Sequence, residues 1–176
     1  MNRLEFIREQ KRKHGFVEIM TVRATKLHVD IGEDCSIQDG VILGLDGFGY
    51  EKNEMGLYEK FPHYGKVIIG KQVDIYAGTT VQRGSTQDTI IGNGCKIAGQ
   101  SQIGHNTVMG ENCLIGARTI ICGSAVLGDN VMTGEFVRIG HGVKIGNNVK
   151  ISSFTNVTKD VSDDSHVRGI PGEIIS

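Results

Sequence analysis

Two histidines, His105 and His141, lie 36 residues apart, with Gly123 midway between them. An uncharged imidazole can take the proton of an attacking amine, an effect typically worth about 10²–10⁴ in rate. A backbone N–H at a glycine can receive a developing oxyanion, typically worth about 10²–10³. The missing side chain also leaves room for a thioester. These residue types suit acyl transfer to an amine, provided the chain brings all three together. The plainer alternative is two polar histidines on an exposed corner.

The element needed to bring them together is written in the period of the chain. From Ile91 to Val157 the positions 91, 97, 103, 109, 115, 121, 127, 139, 145, 151 and 157 are all aliphatic or Met, and Thr133 fills the remaining place in the series. The residue after each is small, mostly Gly, and the fourth residue after each is small or β-branched. A fixed short period marks a solenoid. Six residues make one flat side of a triangular β-coil with its aliphatic residue inward. Three sides make a turn of eighteen, and coils stack at about 4.8 Å. His105, Gly123 and His141 then form one column over three successive coils, with the histidine backbones about 10 Å apart. The small residue after each aliphatic reads as the corner, where Gly tolerates positive φ.

Earlier in the chain the pattern recurs in other phases: Ile31, Ile37 and Leu43, then Ile69, Ile75 and Val81. The extra residues between Val81 and Ile91 predict a small loop near Gly84–Asp88. A longer excursion, residues 44–66, must leave the coil between Leu43 and Ile69. It carries Phe48, Tyr50, Tyr58, Phe61 and Tyr64, half of the six Phe and four Tyr in the chain. A long excursion from a compact domain is usually functional or disordered, and this aromatic content argues for a lid or wall over a substrate. Pro62 and Pro171, the two prolines, interrupt no hexad, as expected because Pro removes a ladder donor.

The division expected is therefore a short helical cap over 1–20, a β-helix over 21–162 and a tail over 163–176. Asn2 and Glu5 resemble a helix start, and Lys11, Arg12 and Lys13 favour a helix C-terminus. The 176 residues suffice for one domain, and the net charge of −1 gives no pull toward nucleic acid. No apolar run is long enough for a membrane span, and no secretory segment opens the chain, so a cytoplasmic protein is expected. Cys35, Cys95 and Cys113 occupy inward small positions and read as reduced core thiols, with Cys122 at a corner. No zinc-type Cys/His spacing occurs, and no metal is expected.

Leu45-Asp-Gly-Phe-Gly-Tyr50, Pro62-His-Tyr-Gly-Lys-Val-Ile-Ile-Gly70, Arg83-Gly84, Asp88-Thr89 and Gln102-Ile-Gly-His-Asn106 occur in this order. In this the chain resembles the UDP-3-O-acylglucosamine N-acyltransferases of lipid A synthesis, over about residues 28–158. The hexad by itself resembles the wider hexapeptide superfamily, whose left-handed parallel β-helix is an exception to the right-handed crossover rule. The resemblance implies His105 as general base, Gly123 as oxyanion donor and His141 as a substrate ligand. Asn106, Phe48, Tyr50 and His63 join His141 as candidate substrate contacts. It also implies a homotrimer with sites between subunits and an acyl donor on the phosphopantetheine of acyl carrier protein. The family's uridine-binding domain of about a hundred residues has no counterpart in the 20–25 residues before the coils, nor has its C-terminal helical extension. Its Asp-Asn pair before the catalytic motif is Ala98-Gly99 here, and its Asp before Arg-Gly is Gln82. Gamma-class carbonic anhydrases use a similar helix with a third histidine five residues after the second. That position is Gly146 here, and zinc needs at least three protein ligands.

The function expected is N-acyl transfer from a pantetheine thioester, on acyl carrier protein or CoA, to an amino sugar that is UDP-linked. No bound cofactor is expected. The alternatives are an acetyl-CoA-dependent amino-sugar N-acetyltransferase and a non-catalytic β-helix serving as a binding or assembly module.

Overall fold

The computed structural model describes residues 28–169, and every regular element among them is a β-strand. The helical cap expected over 1–20 lies outside the described residues. The chain winds into a left-handed parallel β-helix with three flat faces. The first face stacks the strands that begin with Val29–Ile31, Val67–Ile69 and Thr89–Ile91 and runs on to Lys144–Ile145. The second runs from Ser36–Ile37 to His166–Val167, and the third from Ile42–Leu45 to Asn156–Val157.

Register follows the hexad. Ile103 pairs with Ile121 and Ile121 with Ile139 on the third face. Those side chains, with Leu43, Ile75, Ile97 and Ile115, are at most 1% exposed and form a single continuous core along the axis. Burying each aliphatic side chain contributes about 1.5–3 kcal/mol. Thr133, the polar member of the series, is only 4% exposed. Its Oγ1 accepts the Gly116 N–H at 3.0 Å, so the buried hydroxyl is satisfied rather than orphaned. Beyond Val157 the series shortens: Val161, four residues on, bridges to Ile145, and His166–Val167 adds a further strand to the second face.

The corners correct one expectation. Although Gly44 after Leu43 holds a positive φ (79°), from Ile91 onward the glycines after the aliphatic residues do not. That conformation falls two residues later, at Asn106 (φ 58°), Asn112 (54°), Ser124 (61°) and Asn130 (58°), where Asn is well tolerated. The earlier glycine is needed because the next coil lies too close for a side chain. A Cβ at Gly104 would fall 2.4 Å from the Gly123 nitrogen, and one at Gly116 would fall 2.2 Å from the Gly134 oxygen.

Two segments leave the coil. Residues 83–88 form the small loop expected from the phase slip. The longer excursion carries an antiparallel hairpin, Tyr50–Lys52 with Tyr58–Lys60. Asn53 Oδ1 closes its turn by accepting the N–H groups of Met55 and Leu57, each at 3.0 Å. Cys95 and Cys113 are buried free thiols whose sulfurs donate to the carbonyls of Gly110 and Gly128. Among the described residues no helix is long and apolar enough to cross a membrane.

Candidate active site

The corner after the third face holds the column. The pairing of Ile103, Ile121 and Ile139 carries His105, Gly123 and His141 into three successive coils. The ladder confirms the alignment at the corner itself: Ser124 N–H donates to His105 O at 2.8 Å, and Gly142 N–H to Gly123 O at 3.1 Å. The two imidazoles face each other across the glycine, with ring centroids 6.3 Å apart.

Gly123 has two uses here. A Cβ at this position would fall 2.7 Å from His105 Nε2 and 2.9 Å from Cε1, so only glycine lets the ring lie over the backbone. Its N–H, moreover, meets no acceptor among the described residues. At the corner after the first face the equivalent N–H groups are capped by side chains one coil on: Glu111 by Asp129 Oδ1 at 2.7 Å, Asp129 by Asn147 Oδ1 at 2.8 Å. In the column the next coil offers His141 at that position, and the Gly123 N–H stays open.

His105 is half-buried, and its imidazole pKa is held below the ordinary 6.5. Burial is the main cause, and the charges of His63 and His141 add to it. All three effects disfavour the imidazolium, so the ring is an uncharged base at neutral pH. Its backbone N–H donates to Gln82 Oε1 at 3.2 Å.

The excursion brings a third histidine. His63 is 3% exposed, stacks on Phe61 at 5.2 Å and meets the His105 ring edge-on at 5.7 Å. Its Nε2 accepts the Gly47 N–H at 3.0 Å. Asp46, beside Gly47, takes Arg83 Nε at 2.6 Å from the small loop and Lys60 from the hairpin. Its carboxyl is held below the usual range, chiefly by the Lys60 hydrogen bond, with Arg83 contributing. This ion cluster ties the excursion down beside the column.

The other candidates go elsewhere. Asn106 is 7% exposed and works on the small loop: its Oδ1 accepts the Ser85 N–H at 2.7 Å, and its Nδ2 donates to Ser85 Oγ at 2.9 Å. Phe48 is 88% exposed and packs on Tyr50 at 5.0 Å, on the outer side of the excursion. Gly47, Gln82 and Asp46 were not singled out for the site from sequence. Gly47 and Asp46 stand in the Leu45–Tyr50 motif, whose two closely spaced glycines were the available signal. Among the described residues no three metal-binding side chains converge on a point that could hold an ion.

Known proteins resemble this chain in sequence and in fold to different degrees. The bacterial transferase hexapeptide model of six repeats matches residues 88–123 and 124–159. A UDP-3-O-acylglucosamine N-acyltransferase of Polynucleobacter asymbioticus is 48% identical over 81 residues, 44% of this chain and 23% of that protein. One from Pseudomonas paraeruginosa is 47% identical over 85 residues, 48% of this chain and 24% of that protein. The chain thus aligns with about a quarter of the length of these relatives. Among solved structures, a Francisella novicida UDP-N-acetylglucosamine acyltransferase superposes with a TM-score of 0.69 at 21% identity, over 81% of this chain and 52% of that one. Residues 88–159 thus match the bacterial transferase hexapeptide repeat, and over somewhat less than half its length the chain is similar in sequence to UDP-3-O-acylglucosamine N-acyltransferases.

Proposed function

We propose that this protein is an N-acyltransferase that moves an acyl group from a pantetheine thioester to the amine of a nucleotide-linked amino sugar. One observation carries the reading: an uncharged half-buried imidazole lies against a glycine whose N–H is open, in a column with a second imidazole. The acceptor amine attacks the thioester carbonyl while His105 Nε2, the ring nitrogen lying on Gly123, takes its proton. The carbonyl electron pair moves onto oxygen, where the Gly123 N–H receives it. Collapse of the intermediate re-forms the carbonyl as an amide and breaks the C–S bond. The leaving thiolate then recovers the proton from the His105 imidazolium. His141, exposed at the far end of the column, contacts the acceptor. The donor is acyl-CoA or acyl carrier protein, and no bound cofactor takes part.

The same column supports a homotrimer with shared sites. The chain runs from this corner directly into the first face, whose outward positions Ile68, Ile90, Val108 and Val126 stack in register. Ile90 and Val126 are 36% and 37% exposed. An exposed apolar stripe of this kind is a surface that another copy covers, and such a copy would stand beside His105 and Gly123.

The test is thiol release by purified protein. A panel of acyl-CoA and acyl carrier protein donors of graded length is offered with UDP-linked and other nucleotide-linked amino sugars. The expected result is turnover that disappears in His105→Ala, with the chain-length profile separating a fatty donor from acetyl-CoA. No thiol release from any donor–acceptor pair would overturn the reading in favour of a binding module.

A further inference from the structure

His105 is held from two sides by glycines of separate origin. Gly123 of the coil lies under the ring, and Gly47 of the excursion lies at its edge. A Cβ at Gly47 would fall 2.7 Å from His105 Cδ2 and 3.1 Å from its Cβ, and also 2.9 Å from His63 Nε2. Gly47 is therefore wedged between two imidazoles and is itself buried. Its N–H makes one hydrogen bond, the 3.0 Å donation to His63 Nε2. That bond also fixes the tautomer of neutral His63, with the proton on Nδ1. The imidazole bearing the acceptor is 3% exposed and backed by Phe61. Phe61 in turn lies so close to Gly49 that a Cβ there would fall 2.2 Å from its Cε1.

We propose that His63 is a positioning residue for His105, acting as a buried hydrogen-bond acceptor that clamps the Gly47 backbone against the imidazole. The clamp does three things. It closes the side of the ring that the coil leaves open, excludes water from it, and limits the ring to the orientation that sets Nε2 on Gly123. His63 is thus a part of the site that does not touch substrate. The inference rests on the acyl-transfer reading only for its effect on rate; the geometry of the clamp can be tested without any substrate.

The experiment compares His63→Gln, which keeps an acceptor oxygen within reach of Gly47, with His63→Leu, which fills similar space without one. The first readout is the titration of the His105 imidazole by isotope-labelled NMR in the substrate-free protein. The titratable groups acting on that ring are His63 of the excursion and His141 two coils on. Both variants remove the titratable His63 ring, so a difference between them reports the acceptor. The expected result is a His105 midpoint closer to 6.5 in His63→Leu than in His63→Gln, because water reaches the ring only where the clamp is open. The second readout is turnover, with kcat expected to fall about 10–100-fold in His63→Leu and to recover most of that loss in His63→Gln; the midpoint of thermal unfolding should fall in the Leu variant, which leaves the buried Gly47 N–H without an acceptor. Coincident titrations in the two variants, or equal kcat losses, would overturn the clamp. If the wild-type protein turns over no thioester, the acyl-transfer reading fails and the titration still decides the clamp.

Discussion

Two corners of the same coil make opposite use of one backbone. The corner after the third face presents His105, Gly123 and His141. The corner after the second face presents Ala77, Gly99 and Ala117 at the equivalent positions, beside a shallow groove bounded by Tyr76 and Phe136. At the second corner the positive-φ positions hold Gln100, Arg118, Phe136 and Phe154, with φ of 60°, 58°, 55° and 61°. Bulky residues pay about 1–2 kcal/mol each for that conformation. They recover it from one another: Arg118 donates to Gln100 Oε1 at 2.7 Å and lies over Phe136 at 5.1 Å, and Phe136 stacks on Phe154 at 5.0 Å. The third-face corner has Asn106, Ser124 and Gly142 at those positions, which tolerate the conformation without a ladder. One corner has its side chains engaged with each other, and the other leaves a base beside an open donor. The coil fixes where side chains stand, and the corner residues decide whether any chemistry is available there.

The strongest way to break this contrast is His105→Ala. Turnover should fall by about 10²–10⁴, whereas Arg118→Ala at the other corner should leave it intact. Equal effects in a thiol-release assay would erase the distinction. Next comes Gly123→Ala, which pushes a methyl into the His105 ring and should cost about 100-fold in kcat. Its counterpart Gly99→Ala presses on the Ala77 carbonyl oxygen at 2.9 Å and touches Tyr76 Cβ at 3.9 Å, away from the column, and should spare kcat. Steady-state kinetics on the pair sharpens the comparison.

The pH profile is a gentler test. Because the folded pKa of His105 lies below 6.5, the base form persists in mildly acid solution, and the acid limb of kcat/KM should have its midpoint below 6.5. The same shift makes the folded state bind this proton more weakly than the unfolded chain does. The His105 contribution to stability is therefore complete above 6.5 and declines as pH falls from there toward the folded pKa. An acid limb above 6.5 would contradict a buried, uncharged base. The smallest effect is expected for Phe136→Asn. Relief of the strained φ offsets the lost stacking and cation–π contacts, so unfolding free energy should change by less than about 1 kcal/mol. A loss of several kcal/mol in urea melts would mean that the ladder holds the corner together.

Much of this was legible in the sequence, for a specific reason. A period of six leaves no freedom in which residues stack, so the hexad placed His105, Gly123 and His141 in one column, located the small loop near Gly84–Asp88 and required an excursion after Leu43. Tertiary structure decided what lies outside the period. The excursion carries no repeat, so nothing in its order says that Gly47 and His63, sixteen residues apart, meet each other at His105, or that Phe48 turns outward. Asn106 stands next to the base in sequence and is occupied with Ser85. The glycine after each aliphatic residue was visible as a pattern, but its cause was not. The expected cause was a left-handed turn, and the actual one is the close approach of the neighbouring coil, a contact between residues about eighteen apart that exists only once the coils have stacked.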